Sequence, residues 1–471
     1  MANEDRRRWA AAVFWFWAAL DLAAGASLGL WELSALWLGA EEALWFCREG
    51  GFSLGKSGRF LLERVHPAGW LFLFLAVLYL GAEAVSLLWS PAPALLMSKY
   101  LGMGAMGVGC LGIFLFCPDK DGRLLVMGAL GTAGCLAALL AILPAVVPAL
   151  PAPYRLRLTL RIDYNTFAQT VLLGGAAASC VLLARRRPGR EWLLAGVWIL
   201  CLPVVFLSAS RRGVLLLGPV LAVVAWAAWR EGLGGKKLAL AGGTIAAGSL
   251  WGISLLRMGL ERRPAGGLEL SAGQRYAAMA DGSFVEKRLA IWGEVLEELS
   301  RYSPLQWLAG KGAGWNILLF DRREMPRLQQ LYGSWEEGTM SAHNFLLADL
   351  LDGGLIRLLL ELLLLGALAL CLWGVARPSW EQAFLLCVLG VSGASCLISN
   401  RYGLWGDRFF WLACTGCLLL PLPFQSKEAQ GDENPLHDDQ RPPSRRRADL
   451  PPGGPAPGPG GVAGGDPEPG V

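Results

Sequence analysis

Apolar stretches of about twenty residues recur from one end of this chain almost to the other, and few patterns leave a polypeptide less choice. They fall at 9–28, 30–46, 68–90, 93–116, 124–148, 165–184, 191–209, 213–229, 238–256, 350–376, 382–400 and 406–423. In a bilayer every backbone N–H and C=O must be satisfied within the protein, so such runs are read as spanning helices. Composition agrees: 54% of residues are hydrophobic and only 17% charged, where soluble domains carry about a quarter. The sequence therefore predicts an all-α polytopic membrane protein with about twelve transmembrane helices, nine within 1–256 and three within 344–424. The N-terminus has a charged start but no small-residue cleavage site, so its first run is expected to be a span and not a removed signal peptide. From 425 to 471 the chain is polar and then Pro/Gly-rich, a composition that predicts a disordered tail.

Orientation follows from the basic loops. Arg6-Arg7-Arg8, the loop with Arg48, Lys56, Arg59 and Arg64, Lys120/Arg123, Arg185 to Arg190, Arg230/Lys236/Lys237 and Arg377 all fall on one side if there are twelve spans. Short Lys/Arg-rich loops stay in the cytoplasm, which puts both termini there and the protein in an inner or plasma membrane. Residues 149–164 and 257–343 then face outward. The run 30–46 is short and carries Glu32, Glu41 and Glu42; a crossing, a re-entrant segment and an interfacial helix all fit it. Glu83 and Lys99 stand at nearly equal distances either side of the Ser90-Pro91-Ala92-Pro93 turn. Each would lie roughly 12 Å deep, where an unpaired charge costs about 3 kcal/mol, so the two are expected to pair. None of the eleven cysteines lies in 257–343 and most sit inside apolar runs, which supports neither a disulfide framework nor a zinc site.

The segment from Arg257 to His343 is hydrophilic and expected to be a mainly helical extracytoplasmic insert. Eleven Lys/Arg face eleven Asp/Glu within it, so it is no basic arm for nucleic acid. Four clusters converge on the outer side: Arg161-Ile-Asp163-Tyr164-Asn165, Ser208-Ala-Ser210-Arg211-Arg212-Gly213, Arg288 with Trp292, and Ala342-His343-Asn344. Leu289, Trp292, Leu296 and Leu299 recur at helical spacing, and Pro304 is expected to end that helix. Each cluster has a plain structural reading as well as a chemical one. Arg211 and Arg212 are either interfacial anchors or a guanidinium pair suited to a diphosphate. His343 is either a satisfied interfacial side chain or a base, since a histidine with an unperturbed pKa of about 6.5 readily accepts a hydroxyl proton. Asp163 and Asn165 are either helix caps or ligands. The Gly310-Lys-Gly312 glycines are expected to make a tight turn; the pattern is neither a P-loop nor a dinucleotide fingerprint. The tryptophans at 292, 307, 315 and 335 suit sugar stacking and core packing equally.

In order, Asp163-Tyr-Asn165-Thr-Phe-Ala168, Ser210-Arg211, Arg288-Leu-x-x-Trp292, Pro304-Leu305, Gly310-x-Gly312, Ala342-His343-Asn344 and Asp352-Gly-Gly354-Leu-Ile356 form a pattern. It resembles that of the O-antigen ligase/polymerase superfamily over roughly residues 160–400. That superfamily includes lipopolysaccharide O-antigen ligases, Wzy-type polysaccharide polymerases and bacterial protein oligosaccharyltransferases. The resemblance implies a twelve-span, metal-independent inverting glycosyltransferase with no cofactor. It moves a glycan from undecaprenyl diphosphate, embedded among membrane lipids, to a glycan, lipid or protein acceptor. It implies catalytic roles for Arg211 and Arg288 on the diphosphate and for His343 at the acceptor, with Arg212, Asp163, Asn165, Trp292 and Asn344 as substrate-binding candidates. The chain departs from the pattern at Arg357, where the family often has glycine. A transporter for a lipid-linked sugar is the alternative from another class; it calls for a polar path through the membrane, and the charges expected inside the membrane are few (Asp21, Glu83, Lys99, Asp349, Glu361).

Overall fold

A computed structural model describes residues 2–25, 29–50, 65, 67–147, 156, 163–261, 276, 283–322, 325–333, 335, 338–373, 380–399 and 402–420. Lys56, Arg59, Arg64, His66, Arg161, Arg377 and the expected tail at 425–471 lie outside the described residues. Within these bounds all regular structure is helical. The helices are α1 (Ala2–Ala24), α2 (Leu30–Trp45), α3 (Pro67–Ser86), α4 (Met97–Phe116), α5 (Lys120–Val146), α6 (Tyr164–Ala184), α7 (Arg190–Leu207), α8 (Arg211–Arg230) and α9 (Gly235–Glu261). Then come α10 (Ser283–Ser300), α11 (Pro304–Ala309), α12 (Trp315–Arg322), α13 (Pro326–Tyr332), α14 (Phe345–Trp373), α15 (Trp380–Ser399) and α16 (Arg408–Leu418).

Each of the twelve apolar runs coincides with one of α1–α9 and α14–α16. Among the described residues, 9 of these helices are long and apolar enough to cross a membrane: α3 to α9, α14 and α15. The chain is thus a polytopic helical membrane protein. The other three fall short for separate reasons. Helix α1 carries Arg6, Arg7, Arg8 and Asp21, α2 has only 16 residues, and α16 has 11. All three are nonetheless packed into the bundle. Asp21 is fully buried and receives Arg408 of α16 at 3.2 Å, while Arg6 of α1 holds Glu41 of α2 at 2.8 Å.

Helix α6 is the centre of the bundle, with 83% of its apolar window buried, whereas α9 buries 11% and lies at the rim. Small residues allow this. A Cβ on Gly134 would stand 2.6 Å from the Gly174 Cα, so α5 and α6 meet backbone to backbone, the close approach that membrane helices use when no hydrophobic drive exists between them.

Helix α14 is broken. Gly354 has φ 63° and ψ −160°, outside the helical region and open in practice only to glycine. The break divides two turns beginning at Phe345 from a straight span beginning at Leu355. Those first turns belong to the insert as much as to the membrane: Ala348 and Leu351 share one core with Ile291, Val295, Leu299, Phe320 and Ala342. The insert therefore has no closed core of its own and is part of the compact unit Met1–Pro423.

Candidate functional site

The N-termini of α6 and α8 carry the first two clusters. Asp163 is the N-cap of α6 and accepts from the Asn165 N–H at 3.1 Å and the Asn165 Nδ2 at 2.9 Å. Ser210 is the N-cap of α8, its Oγ accepting from Gly213 N–H at 2.9 Å. The same hydroxyl donates to Asn165 Oδ1 at 2.9 Å. One hydrogen bond thus joins the cap of α8 to the first turn of α6, and both helix N-termini are held side by side. Ala209, fully buried, has φ 60° just before the cap, a left-handed conformation that bends the chain from α7 into α8 and is unusual for a residue with a Cβ. Tyr276 of the insert covers this turn, donating from its hydroxyl to Phe206 O at 2.5 Å and packing on the Phe206 ring at 5.0 Å.

Arg211 and Arg212 are the first two residues of α8. A helix N-terminus is the positive end of the macrodipole, and cations there are disfavoured. Arg212 donates to Ser395 O of the neighbouring α15 at 3.2 Å and lies within Coulomb range of Asp163 and Asp407. Asp407 went unnoticed in the sequence. It caps α16, with Oδ1 accepting from Phe409 and Phe410 N–H at 2.9 and 3.1 Å, and it also accepts from Gln169 and Ser392, each at 3.1 Å. A single acidic residue in a loop gives no sequence signal of such convergence.

Arg288 comes from α10, where Ile291, Val295 and Leu299 point inward. Its guanidinium pKa is lowered from the ordinary arginine value, first by burial; the nearby Arg212 charge lowers it further, while Tyr332, Tyr164 and Asp163 act in the opposite sense. An arginine stays charged at neutral pH through any such shift. What matters is the neighbourhood: Arg288 of the insert and Arg212 of α8 are close enough to feel each other's charge. Trp292, one turn on from Arg288, packs partly buried against the insert core, its Nε1 buried with no hydrogen-bond partner among the described residues.

The fourth cluster joins the third through packing. Met340 and Ala342 lie in the same core as Ile291, and the next residue is His343. His343 has φ 51°, a second left-handed non-glycine conformation, and its N–H donates to Ser341 Oγ at 3.4 Å. Asn344 caps α14, its Oδ1 accepting from Leu346 and Leu347 N–H at 3.0 and 3.2 Å. Asn344 and Asp163, both expected to bind substrate, thus each hold a helix end in place.

The remaining motifs have structural duties. Pro304 does not simply end α10, which stops at Ser300. It opens α11 at the first helical position, behind a Ser303–Gln306 capping box. Gly310 and Gly312, expected in a tight turn, have φ 69° and 98°. They are there for close approach: a Cβ on Gly310 would stand 2.3 Å from Asp352 O, and one on Gly312 would stand 2.7 Å from Ser90 Cα. Asp352, 3% exposed, then accepts from Gly314 N–H (3.1 Å), Asn316 N–H (2.7 Å) and Asn316 Nδ2 (2.8 Å), fastening the loop to α14.

Below the site the expected pair is present, with Lys99 Nζ 2.5 Å from Glu83 Oε1. It belongs to a larger network. Arg357 meets Asp349 at 2.9 Å and Glu83 at 3.9 Å, and its Nε and Nη2 donate to the Tyr79 hydroxyl at 3.2 and 3.1 Å. That hydroxyl donates in turn to Asp349 at 2.9 Å, and Trp405 Nε1 donates to Glu361 at 3.2 Å. No protein-family model matches this chain, and no curated protein matches it.

Proposed function

We propose that this chain is an O-antigen ligase-like membrane glycosyltransferase, which takes a glycan from an undecaprenyl-diphosphate carrier and joins it to an acceptor hydroxyl. The observation that carries the reading is the neighbourhood of Arg212 and Arg288. Two guanidiniums from separate parts of the chain stand within Coulomb range, one of them at the positive end of a helix whose N-cap is bonded to the first turn of a second helix. Like charges so placed repel, and a bound polyanion turns that repulsion into attraction; a diphosphate accepts bidentate hydrogen bonds from such groups. His343 follows Ala342 in the core that also holds the Arg288 helix, which suits a base near the same anion.

In the proposed reaction His343 takes the proton of the acceptor hydroxyl, and the oxygen attacks the anomeric carbon from the face opposite the diphosphate. The carbon–oxygen bond to the diphosphate breaks, and undecaprenyl diphosphate leaves with the electron pair. Arg211 and Arg288 stabilise the charge that grows on it, with Arg212 beside them. A general base of this kind contributes about 10²–10⁴-fold in rate. We further infer that α1, α2 and α16 complete a twelve-span topology, with the insert outside and both termini cytoplasmic. Their burial against the spanning helices supports this.

The test is purified protein in lipid with an undecaprenyl-diphosphate-linked repeat unit, its products separated by gel beside those of His343→Ala. A ladder from the donor alone, lost in the variant, marks a polymerase. Product that awaits a lipid, glycan or protein acceptor marks a ligase or an oligosaccharyltransferase. Equal behaviour of wild type and variant with every donor and acceptor removes the catalytic reading and leaves transport of the lipid-linked sugar to be measured.

A further inference from the structure

At the end of the bundle away from the arginines, α1, α5 and α6 leave a groove of about 550 Å³. Its walls are apolar, with Val13 and Phe16 on α1, Leu125 and Ala129 on α5, and Val181 on α6. Its floor exists because α5 and α6 meet closely there: a Cβ on Gly131 would lie 2.9 Å from Ala178 Cα. The groove follows α5 from Leu124 to Cys135, roughly 17 Å of helix. A leaflet's hydrocarbon is about 15 Å deep.

The groove opens at the helix ends into a polar basin of about 440 Å³, with which it shares Trp9, Leu124, Leu125 and Arg185. Arg8, in the basin wall, is already engaged by Glu4 at 2.8 Å and Asp119 at 3.1 Å. Four other charged residues line the basin: Lys120 and Arg185, Asp5 and Asp121. All four are exposed, and among the described residues none of them makes an ion pair. Two cations and two carboxylates that face a common basin without neutralising one another are complementary to a ligand that carries both signs.

We propose that this groove and basin bind one membrane phospholipid of the ethanolamine type, an acyl chain lying along α5 between α1 and α6. Its phosphate meets Lys120 and Arg185 at the N-terminal end of α5, and its primary ammonium meets Asp5 and Asp121. The site is separate from the diphosphate site and does not depend on the glycosyltransferase reading. A phosphate alone would leave both carboxylates facing an anion, and a diacylglycerol would leave all four charges unmatched.

The experiment is native mass spectrometry of the full chain in a mild detergent, with phosphatidylethanolamine, phosphatidylglycerol or diacylglycerol of identical acyl chains added at equal concentration. The expected result is a single retained phosphatidylethanolamine that exceeds the other two. Lys120→Gln and Arg185→Gln should each reduce retention about fivefold, the effect of one cation beside an anionic headgroup. The pair Asp5→Asn and Asp121→Asn should erase the preference over phosphatidylglycerol. Gly128→Leu fills the groove, and a Cβ at Gly128 meets nothing within 4 Å, so this variant should fold normally and lose the adduct. Should it fail to fold, the four surface variants carry the test. Retention of phosphatidylglycerol equal to phosphatidylethanolamine, or an adduct that survives the charge variants and the filled groove, overturns the proposal.

Discussion

Arg357 is the most informative single residue to perturb, because its side chain is 4% exposed and holds together two helices and three polar partners. Arg357→Met keeps the length and apolar stem but leaves Asp349 and the Tyr79 hydroxyl with no cation between them. Removing one partner of a buried pair costs about 3–5 kcal/mol, since the other charge stays buried without compensation. Hydrogen bonds between membrane helices average only about 0.6 kcal/mol, because the unfolded chain in detergent also finds partners. The lost contacts are the ion pair at 2.9 Å and two bonds to Tyr79 at 3.2 and 3.1 Å. They place the expected loss near the lower end, about 3 kcal/mol. Adding Asp349→Asn removes the orphaned charge while keeping an acceptor for the Tyr79 hydroxyl. The double variant should then lie within about 1–2 kcal/mol of wild type, a coupling well outside additive behaviour. Unfolding in mixed micelles with increasing SDS, followed by tryptophan fluorescence and circular dichroism, measures all four corners of the cycle. Leu359→Ala, at a side chain 56% exposed on the outside of the bundle, serves as the neutral control. If Arg357→Met were as stable as the control, or the double variant simply summed the two losses, the buried network would not be the tie described above.

Other substitutions probe the backbone. Gly354→Ala places a Cβ 2.5 Å from the Leu308 carbonyl at a φ and ψ reserved for glycine; a loss of about 3 kcal/mol or more is expected in the same assay. Asp352→Asn, which can no longer accept on both oxygens from Gly314 and Asn316, should cost about 2 kcal/mol and expose the 310–316 loop to limited proteolysis. His343→Gly and His343→Ala should be equally inactive in glycan transfer. The glycine variant should nevertheless be about 1 kcal/mol more stable, because φ at this position is 51°. Arg288→Gln should weaken inhibition by added inorganic diphosphate at least tenfold, read as a rise in the inhibitory concentration in the gel assay.

Much of the fold was legible because hydropathy is local: each apolar run is a helix, and the Glu83–Lys99 pair could be read from equal distances either side of one turn. What joined that pair to Arg357 was not legible, since Tyr79 and Asp349 are 270 residues apart in the chain and meet only through packing of α3 on α14. The break at Gly354 had a glycine pair as its signal, but the reason for it, the backbone of α11 pressed against that glycine, lies far along the chain. In the site, the cap residue Asp163 and the turn at Gly310 were readable from residue type. The hydrogen bond from Ser210 to Asn165 was not, and neither was the convergence on Asp407, because a lone acidic residue announces no partner.

The broken helix also bears on how the protein is made. Among the described residues, the hydrogen bonds to the buried Asp352 carboxylate come from the loop at 314–316, which emerges from the ribosome before α14 does. The straight span after Gly354 can enter the bilayer as an ordinary apolar helix. The two turns before it, with His343 at their head, reach their position only once α10 and α12 of the insert are in place to pack on them. Folding of the insert thus sets the moment at which His343 is placed. A chain arrested before that step would hold its apolar helices as far as α9 and leave the centre unassembled until the insert had folded.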